Sequence, residues 1–122
     1  MNSKPILFVG EKRSNKAVQM NVKWEDGKLA AKQLFDALKE CGINPSECTF
    51  TNWFEYGGKS TVQRWGGIIV AMGQKVSKSL TSKGIQHISI IHPAARGKIR
   101  KKSRYIKHIK ESIGHLGSKR FK

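Results

Sequence analysis

Short apolar runs alternate with longer amphipathic stretches along the chain. Four of the runs are four or five residues long, contain β-branched or aromatic side chains, and are bounded by Gly or polar residues. Runs of this kind are typical of strands that are buried on both faces of a sheet. The predicted strands are residues 5–9, 48–52, 68–71 and 87–91.

The amphipathic stretches between and after these strands predict helices. In residues 29–38 apolar side chains recur at helical spacing, and Gly42 is the predicted C-terminal stop. Residues 74–82 predict a second helix. Residues 101–113 predict a third, with apolar side chains on one face and Lys and Arg opposite. Residues 53–67 hold adjacent glycines and predict a loop with a short helix.

This alternation predicts an α/β fold, a three-layer α/β/α domain with a central four-stranded parallel sheet. Residues 1–113 are expected to form that single domain, and residues 114–122 a basic C-terminal tail. In open parallel sheets the ligand site forms beyond the carboxyl ends of the strands. The residues that follow the four predicted strands are therefore expected to converge.

The chain is strongly basic, with 24 Lys and Arg residues against 8 Asp and Glu residues and a formal net charge of +16. Such an excess predicts a polyanionic partner. Nucleic acid is favoured over a membrane, because no apolar run approaches the roughly 20 residues that a spanning helix needs. We expect a monomer that binds DNA, although a ribosome-associated basic protein would account for the charge as well.

The two cysteines, Cys41 and Cys48, are too few and too widely spaced for a structural zinc site. Both are expected to be reduced structural thiols, with a disulfide between them as the alternative. Nothing at the N-terminus has the pattern of a cleavable signal peptide, so a cytoplasmic location is expected. No metal and no cofactor is expected.

Four short motifs stand where the predicted strands end. They are FVGE at residues 8–11, TN at 51–52, IVAMG at 69–73 and IIHPAARG at 90–97. In this order and spacing they resemble the motifs of the uracil-DNA glycosylase superfamily, most of all its iron–sulfur type. The resemblance covers residues 6–113. The four cluster cysteines of that type are absent from this chain, so no iron–sulfur centre is expected.

The resemblance implies a monofunctional DNA glycosylase that flips a pyrimidine out of DNA, hydrolyses its N-glycosidic bond and leaves an abasic site. Uracil or a modified pyrimidine, such as a modified cytosine, is the expected base, in DNA repair or in defence against phage. Breaking the bond builds positive charge on the sugar and negative charge on the base. Glu11 is the expected group that orients water and stabilises the sugar. His92 is the expected hydrogen-bond donor to the base carbonyl.

Further residues are expected to bind the base and the DNA backbone. Asn52 resembles the amide that reads the Watson–Crick edge of the flipped base, and Gly10 would let the backbone approach it closely. Trp24 is the candidate ring that stacks on the base, with Trp53 and Phe54 as alternatives. The basic residues expected to contact DNA are Lys12, Arg13, Arg96, Lys98, Arg100, Lys101 and Lys102.

The loop after the first strand departs from the family, because GEKRS at residues 10–14 lacks the Pro and Gly that the family has after Gly-Glu. A non-catalytic nucleic-acid-binding protein on the same fold is therefore the alternative function. In that case Glu11 would be a surface group paired with Lys12 or Arg13, and Asn52 would cap the turn after its strand.

Overall fold

The computed structural model describes residues 5–12, 18–21, 23–26, 30–94 and 101–118. Its regular elements alternate between strand and helix, and two short 3-10 helices, Trp24–Asp26 and Pro45–Glu47, precede the helix and the strand that follow them. The strands and helices are β1 (Ile6–Gly10), α1 (Ala30–Glu40), β2 (Thr49–Asn52), α2 (Gly58–Arg64), β3 (Ile68–Met72), α3 (Gln74–Ser82), β4 (Ile88–Ile90) and α4 (Lys102–Ser118).

The four strands form one parallel sheet in the order β2-β1-β3-β4. The α/β fold with a central four-stranded parallel sheet is therefore confirmed. The register sets Gly10 beside Asn52 across β1 and β2, and Met72 beside Ile90 across β3 and β4. All strand ends point the same way, so the loops that follow them lie along one edge of the sheet.

Both faces of the sheet are covered by helices, which gives the three-layer architecture. Along β1, Ile6 and Phe8 belong to a core shared with α1 and α4, whereas Leu7 and Val9 belong to a core shared with α2 and α3. Every residue of β1 is buried. The alternation of side chains across a strand explains why an uninterrupted apolar run was needed here.

The last helix is longer than the sequence pattern predicted. The prediction ended it at Ile113 and treated residues 114–122 as a tail, but α4 continues to Ser118. Gly114 does not stop the helix, because Leu116 extends the apolar stripe of Ile109 and Ile113 by one more turn and packs against the same core. Residues 119–122 of the predicted tail lie outside the described residues.

Cys41 and Cys48 are both half-buried and are not joined by a disulfide, as the prediction of reduced structural thiols requires. Burial raises the pKa of the Cys41 thiol, which keeps it in the unreactive protonated form. Among the helices in the described part of the chain, none is both long and apolar enough to cross a membrane.

Candidate functional site

Backbone hydrogen bonds continue the sheet beyond its strands and hold the strand-end loops together. Trp53 N–H donates to the carbonyl of Gly10 at 2.8 Å, and Phe54 N–H donates to the carbonyl of Glu11 at 2.9 Å. On the other side, Gly73 N–H donates to the carbonyl of Ile90 at 2.9 Å. The segments that carry Glu11, Asn52, Gly73 and His92 are thus brought to one edge of the sheet, as the sequence predicted.

The end of β1 has no room for a side chain. A Cβ atom at Gly10 would lie 2.6 Å from Asn52 Oδ1 and 3.1 Å from Trp24 Cζ2. Real Cβ atoms do not approach other heavy atoms as closely as the first of these distances. Glycine at this position is therefore required by the close approach of the Asn52 amide and the Trp24 indole, which are the residues predicted to bind the base with it.

Both ends of the Asn52 amide are hydrogen-bonded inside the protein. Trp24 Nε1 donates to Asn52 Oδ1 at 2.9 Å, and Asn52 Nδ2 donates to Glu55 Oε2 at 3.2 Å. The Asn52 residue is only 9% exposed. An indole N–H thus occupies the carbonyl oxygen that a base N–H would use, so the Asn52 amide meets a base only after Trp24 has moved or through its remaining capacity for hydrogen bonds.

The Trp24 ring lies between Phe50 of β2 and His92, which follows β4. Its centroid is 6.3 Å from the Phe50 ring at an interplanar angle of 20°, and 6.0 Å from the His92 ring at 60°. Trp53, one alternative stacking ring, is buried in the core beneath α2 and α3 and is 2% exposed, whereas Phe54 is 43% exposed. Trp24 and Phe54 therefore remain candidates for contact with a base.

The half-buried His92 has a defined tautomer. Ala94 N–H donates to His92 Nδ1 at 3.0 Å, so Nδ1 is an acceptor. Burial lowers the pKa of His92, and the negative charge of Glu11 opposes this effect. A neutral imidazole whose Nδ1 accepts must carry its proton on Nε2, so His92 can donate a hydrogen bond from Nε2 near neutral pH.

Helix α4 fixes the residue that precedes His92. Tyr105 OH donates to the carbonyl of Ile91 at 2.8 Å, and Ile91 N–H donates to His108 Nε2 at 2.9 Å. Tyr105 is fully buried, and its burial raises the pKa of the phenol; burial also lowers the pKa of His108. Tyr105 lies on the apolar face of the helix predicted for residues 101–113, but the sequence pattern does not distinguish His108, because only the tertiary fold brings both residues to Ile91.

The Glu11 carboxylate forms an ion pair with a helix on the opposite face from α4. Its Oε2 lies 3.7 Å from Lys75 Nζ of α3, and Lys75 Nζ also lies 5.4 Å from the centroid of the Phe54 ring. The Glu11 and Lys75 side chains are 35% and 71% exposed, so their attraction is weak in water. Glu11 is therefore held loosely at the strand end and stays open to solvent.

A cavity of about 520 Å³ borders His92 and is lined by residues of β4, α3 and α4. Ser77 and Ser89 line it, and their hydroxyl oxygens are 2.6 Å apart. Ser77 Oγ also lies 2.8 Å from Nε2 of His87, whose Nδ1 lies 2.8 Å from the carbonyl of Ile85. These hydroxyls were not predicted from the sequence, because Ser residues on a helix and on a strand have no distinguishing spacing.

Three of the seven predicted DNA-binding residues lie in the described part of the chain, and all three are exposed. Lys102 forms an ion pair within the protein, because its Nζ lies 3.2 Å from Asp36 Oδ2 of α1. The hydrogen bond from Lys32, together with Lys102, holds the pKa of Asp36 below its usual value. The three are Lys12, Lys101 and Lys102; outside the described residues lie Arg13, Arg96, Lys98 and Arg100.

No metal site is found among the described residues, where no group of three or more His, Cys, Asp or Glu side chains could hold an ion. Comparison with known proteins adds no family, since neither protein-family models nor curated proteins match the chain. The function is therefore inferred from the geometry of the strand ends and from the four ordered motifs.

Proposed function

We propose that the protein is a DNA glycosylase that flips a pyrimidine out of DNA and hydrolyses its N-glycosidic bond. The observation that carries the proposal is His92, a neutral imidazole with Nδ1 satisfied and the proton on Nε2, at the same sheet edge as the open carboxylate of Glu11. Uracil-DNA glycosylases, which the ordered motifs resemble, use this pairing of an acid after the first strand with an imidazole after the last.

The placement of the two groups suits the charge that develops during cleavage. Glu11 follows β1 and His92 follows β4, and β3 lies between these strands. Strand axes two apart are about 10 Å from each other, which separates the groups enough to act on opposite ends of one nucleoside. The Glu11 carboxylate would orient water at the sugar and stabilise its positive charge. His92 Nε2–H would donate to the base oxygen that gathers negative charge.

Base recognition falls to the β1–β2 side of the site. The Asn52 amide offers a donor and an acceptor to the Watson–Crick edge of a pyrimidine, and the Gly10 backbone lies directly beside it. The Trp24 indole N–H donates to Asn52 Oδ1, so an entering base would replace this hydrogen bond with one of its own. The indole ring would then be free to stack on the base. We propose uracil or a modified cytosine as the base, since the amide can present either edge.

The partner in this proposal is DNA, bound by a monomer in the cytoplasm. The support for DNA is the net charge of +16 and the exposure of Lys12 and Lys101 on the described surface. Phosphate contacts of this kind position a strand without reading its sequence.

The test is base excision on a panel of oligonucleotides that carry uracil, hypoxanthine or modified cytosines, in single- and double-stranded form. Alkali-labile sites are expected with one or more pyrimidines and not with hypoxanthine. Glu11→Gln is expected to abolish them, whereas Glu47→Gln, a matched change at the opposite end of β2, is expected to leave them unchanged. Intact DNA across the whole panel would contradict the proposal.

The second candidate is a nucleic-acid-binding protein that retains the fold without the reaction. It is favoured by the Asn52 amide, which is hydrogen-bonded at both ends within the protein, and by the altered GEKRS loop. It predicts DNA binding that weakens with salt, survives Glu11→Gln and His92→Ala, and is accompanied by no abasic sites.

A further inference from the structure

The loop between β2 and α2, residues 53–57, presents aromatic rings to solvent beside Glu11. Tyr56 is 107% exposed and Phe54 is 43% exposed, and Tyr56 is the most exposed large hydrophobic side chain in the described part of the chain. Large aromatic side chains are normally buried, because each removes a large apolar area from water. Two exposed rings in one short loop mark a surface for interaction.

The loop is held in place rather than left free. Trp53, its first residue, is buried in the core and is tied to the Gly10 carbonyl. Glu55 N–H donates to the carbonyl of Asn52 at 3.2 Å, and Gly58 N–H donates to the carbonyl of Glu55 at 3.0 Å. The Tyr56 ring therefore projects from a fixed turn, and because Tyr has only two side-chain torsions to order, its immobilisation on binding costs little conformational entropy.

The two glycines that follow Tyr56 are required by this turn. Gly57 has a φ of +84°, and a Cβ at Gly58 would collide with the Asn52 carbonyl oxygen. The close approach of Gly58 to the end of β2 allows the chain to turn directly into α2. Tyr56 is left at the apex of the turn, next to the strand that carries Asn52.

Two lysine side chains lie close to the aromatic rings of this loop. Lys75 Nζ lies 5.4 Å from the Phe54 ring centroid, and Lys59 Nζ lies 5.6 Å from the Trp53 ring centroid. Both ammonium groups are at cation–π distance. Aromatic rings that stack on bases, set beside cations that track phosphates, are the combination with which proteins bind single-stranded nucleic acid.

We propose that residues 53–57 form a base-stacking platform for a DNA strand, with Tyr56 stacked on a nucleobase and Lys59 and Lys75 facing the phosphates. The inference rests on the DNA partner of the proposed function and does not require base excision. Phe54 N–H donates to the Glu11 carbonyl, so the platform adjoins the candidate site. The stacked base would be an unpaired neighbour of the flipped nucleotide.

The test is binding of a fluorescent single-stranded thymidine oligonucleotide, measured by anisotropy over a range of salt concentrations and checked to be intact afterwards. Tyr56→Ala is expected to weaken binding roughly 5- to 100-fold, the range for loss of one stacking side chain, with the salt slope unchanged. Tyr56→Phe is expected to bind like wild type. Lys59→Ala is expected to make the salt slope shallower. Met20→Ala, a change at another exposed apolar residue, is the control and is expected to bind normally.

A second readout reports stacking directly. The fluorescence of 2-aminopurine in the oligonucleotide is expected to change on binding to wild type and Tyr56→Phe but not to Tyr56→Ala. Wild-type affinity in Tyr56→Ala, an equal loss in Tyr56→Phe, or no binding by the wild type would overturn the platform. Stacking without excision on any base would contradict only the proposed function, and excision together with oligonucleotide binding that does not depend on Tyr56 would contradict only the platform.

Discussion

The two halves of the candidate site differ in how far the protein fills them. On the β1–β2 side, Gly10 has no space for a Cβ, the Asn52 amide is bonded at both ends, and the Trp24 indole covers both residues. On the β3–β4 side, His92 uses Nδ1 internally, keeps its proton on Nε2, and borders a cavity of about 520 Å³. The first half is closed by the protein's own side chains, and the second is open.

Under the proposed function, this difference would separate recognition of the base from the chemistry of excision. In the closed half an indole N–H already satisfies the acceptor that a base would use, so base binding there must replace an existing hydrogen bond and gains only the difference between the two. In the open half no such exchange is needed, since burial and the Ala94 N–H set the protonation state of His92 in advance. Under the proposed function, discrimination between bases is therefore expected to depend on the first half, and rate on His92 in the second half together with Glu11 at the end of β1.

Among changes that compare the two halves, the largest expected effect is loss of the imidazole from the open half. His92→Ala removes the donor to the base oxygen, and kcat for excision is expected to fall roughly 10²- to 10³-fold, as when one oxyanion donor is removed. KM is expected to change little, because the closed half holds the base. His115→Ala, an exposed position on α4, is the control. Steady-state kinetics on the preferred base checks this, and an unchanged kcat in His92→Ala would show that the open half does no chemistry.

The next effect tests how tightly the closed half is packed. In Gly10→Ala the new Cβ would meet Asn52 Oδ1 at 2.6 Å, so the amide or the indole must shift. The free energy of unfolding is expected to fall by about 1–3 kcal/mol, the usual cost of overpacking. At Gly66 nothing lies within 4 Å of a built Cβ, so Gly66→Ala is a matched control with little expected effect. Urea denaturation measures both; equal stability of the two variants would mean that the closed half can relax.

A smaller effect distinguishes the Trp24 hydrogen bond from its ring. Trp24→Phe keeps an aromatic ring and removes the donor to Asn52 Oδ1, at an expected cost of about 1 kcal/mol in stability. Trp65→Phe removes a comparable donor, from Trp65 Nε1 to the carbonyl of Pro5 at 3.2 Å, at the opposite end of the sheet. Both variants should lose similar stability, but only Trp24→Phe should lower KM for excision, because the base no longer competes with the indole N–H. Equal KM values in the two variants would contradict competition between the base and the Trp24 indole N–H for Asn52.

The smallest effect is a dependence of stability on pH. Burial holds the pKa values of His92 and His108 below their ordinary value of 6.5, so between the lowered values and 6.5 the unfolded chain binds more protons than the folded chain. Their contribution to the free energy of unfolding is therefore complete above pH 6.5 and is lost as the pH falls below it. His92→Asn and His108→Asn are each expected to reduce this acid sensitivity in urea titrations. A free energy of unfolding of the wild type that rises as the pH falls below 6.5 would contradict this prediction.

Much of the fold was predictable because its strands are buried on both faces and its helices on one. An apolar run such as β1 has few other stable arrangements, and glycines with positive φ, such as Gly42, Gly73 and Gly84, mark where the chain turns at the ends of later elements. The end of α4 was misplaced because Gly114 was taken as a boundary, although Leu116 continues the apolar stripe. The low helix propensity of Gly114 was outweighed by the packing of Leu116 against the core.

The site was predictable only to the level of which residues share the sheet edge. The predicted parallel arrangement placed Glu11, Asn52 and His92 together, since each lies at or just after the carboxyl end of a strand. Their partners come from distant segments: the Trp24 indole lies 28 residues before Asn52, and the ion pair of Glu11 is with Lys75 rather than with its neighbour Lys12. Such contacts depend on how helices and loops pack on the sheet, and no local spacing encodes them.

The most direct test of the central claim is the chemical identity of the products. Wild-type protein is incubated with the base panel in water enriched in oxygen-18, and both the oligonucleotide and the released small molecules are analysed by mass spectrometry. We expect a free pyrimidine in equal amount to an abasic oligonucleotide that carries one oxygen from water, and neither product with the Glu11→Gln, His92→Ala double variant. Unchanged oligonucleotides with the wild-type protein, or equal product from the double variant, would contradict a glycosylase built on Glu11 and His92.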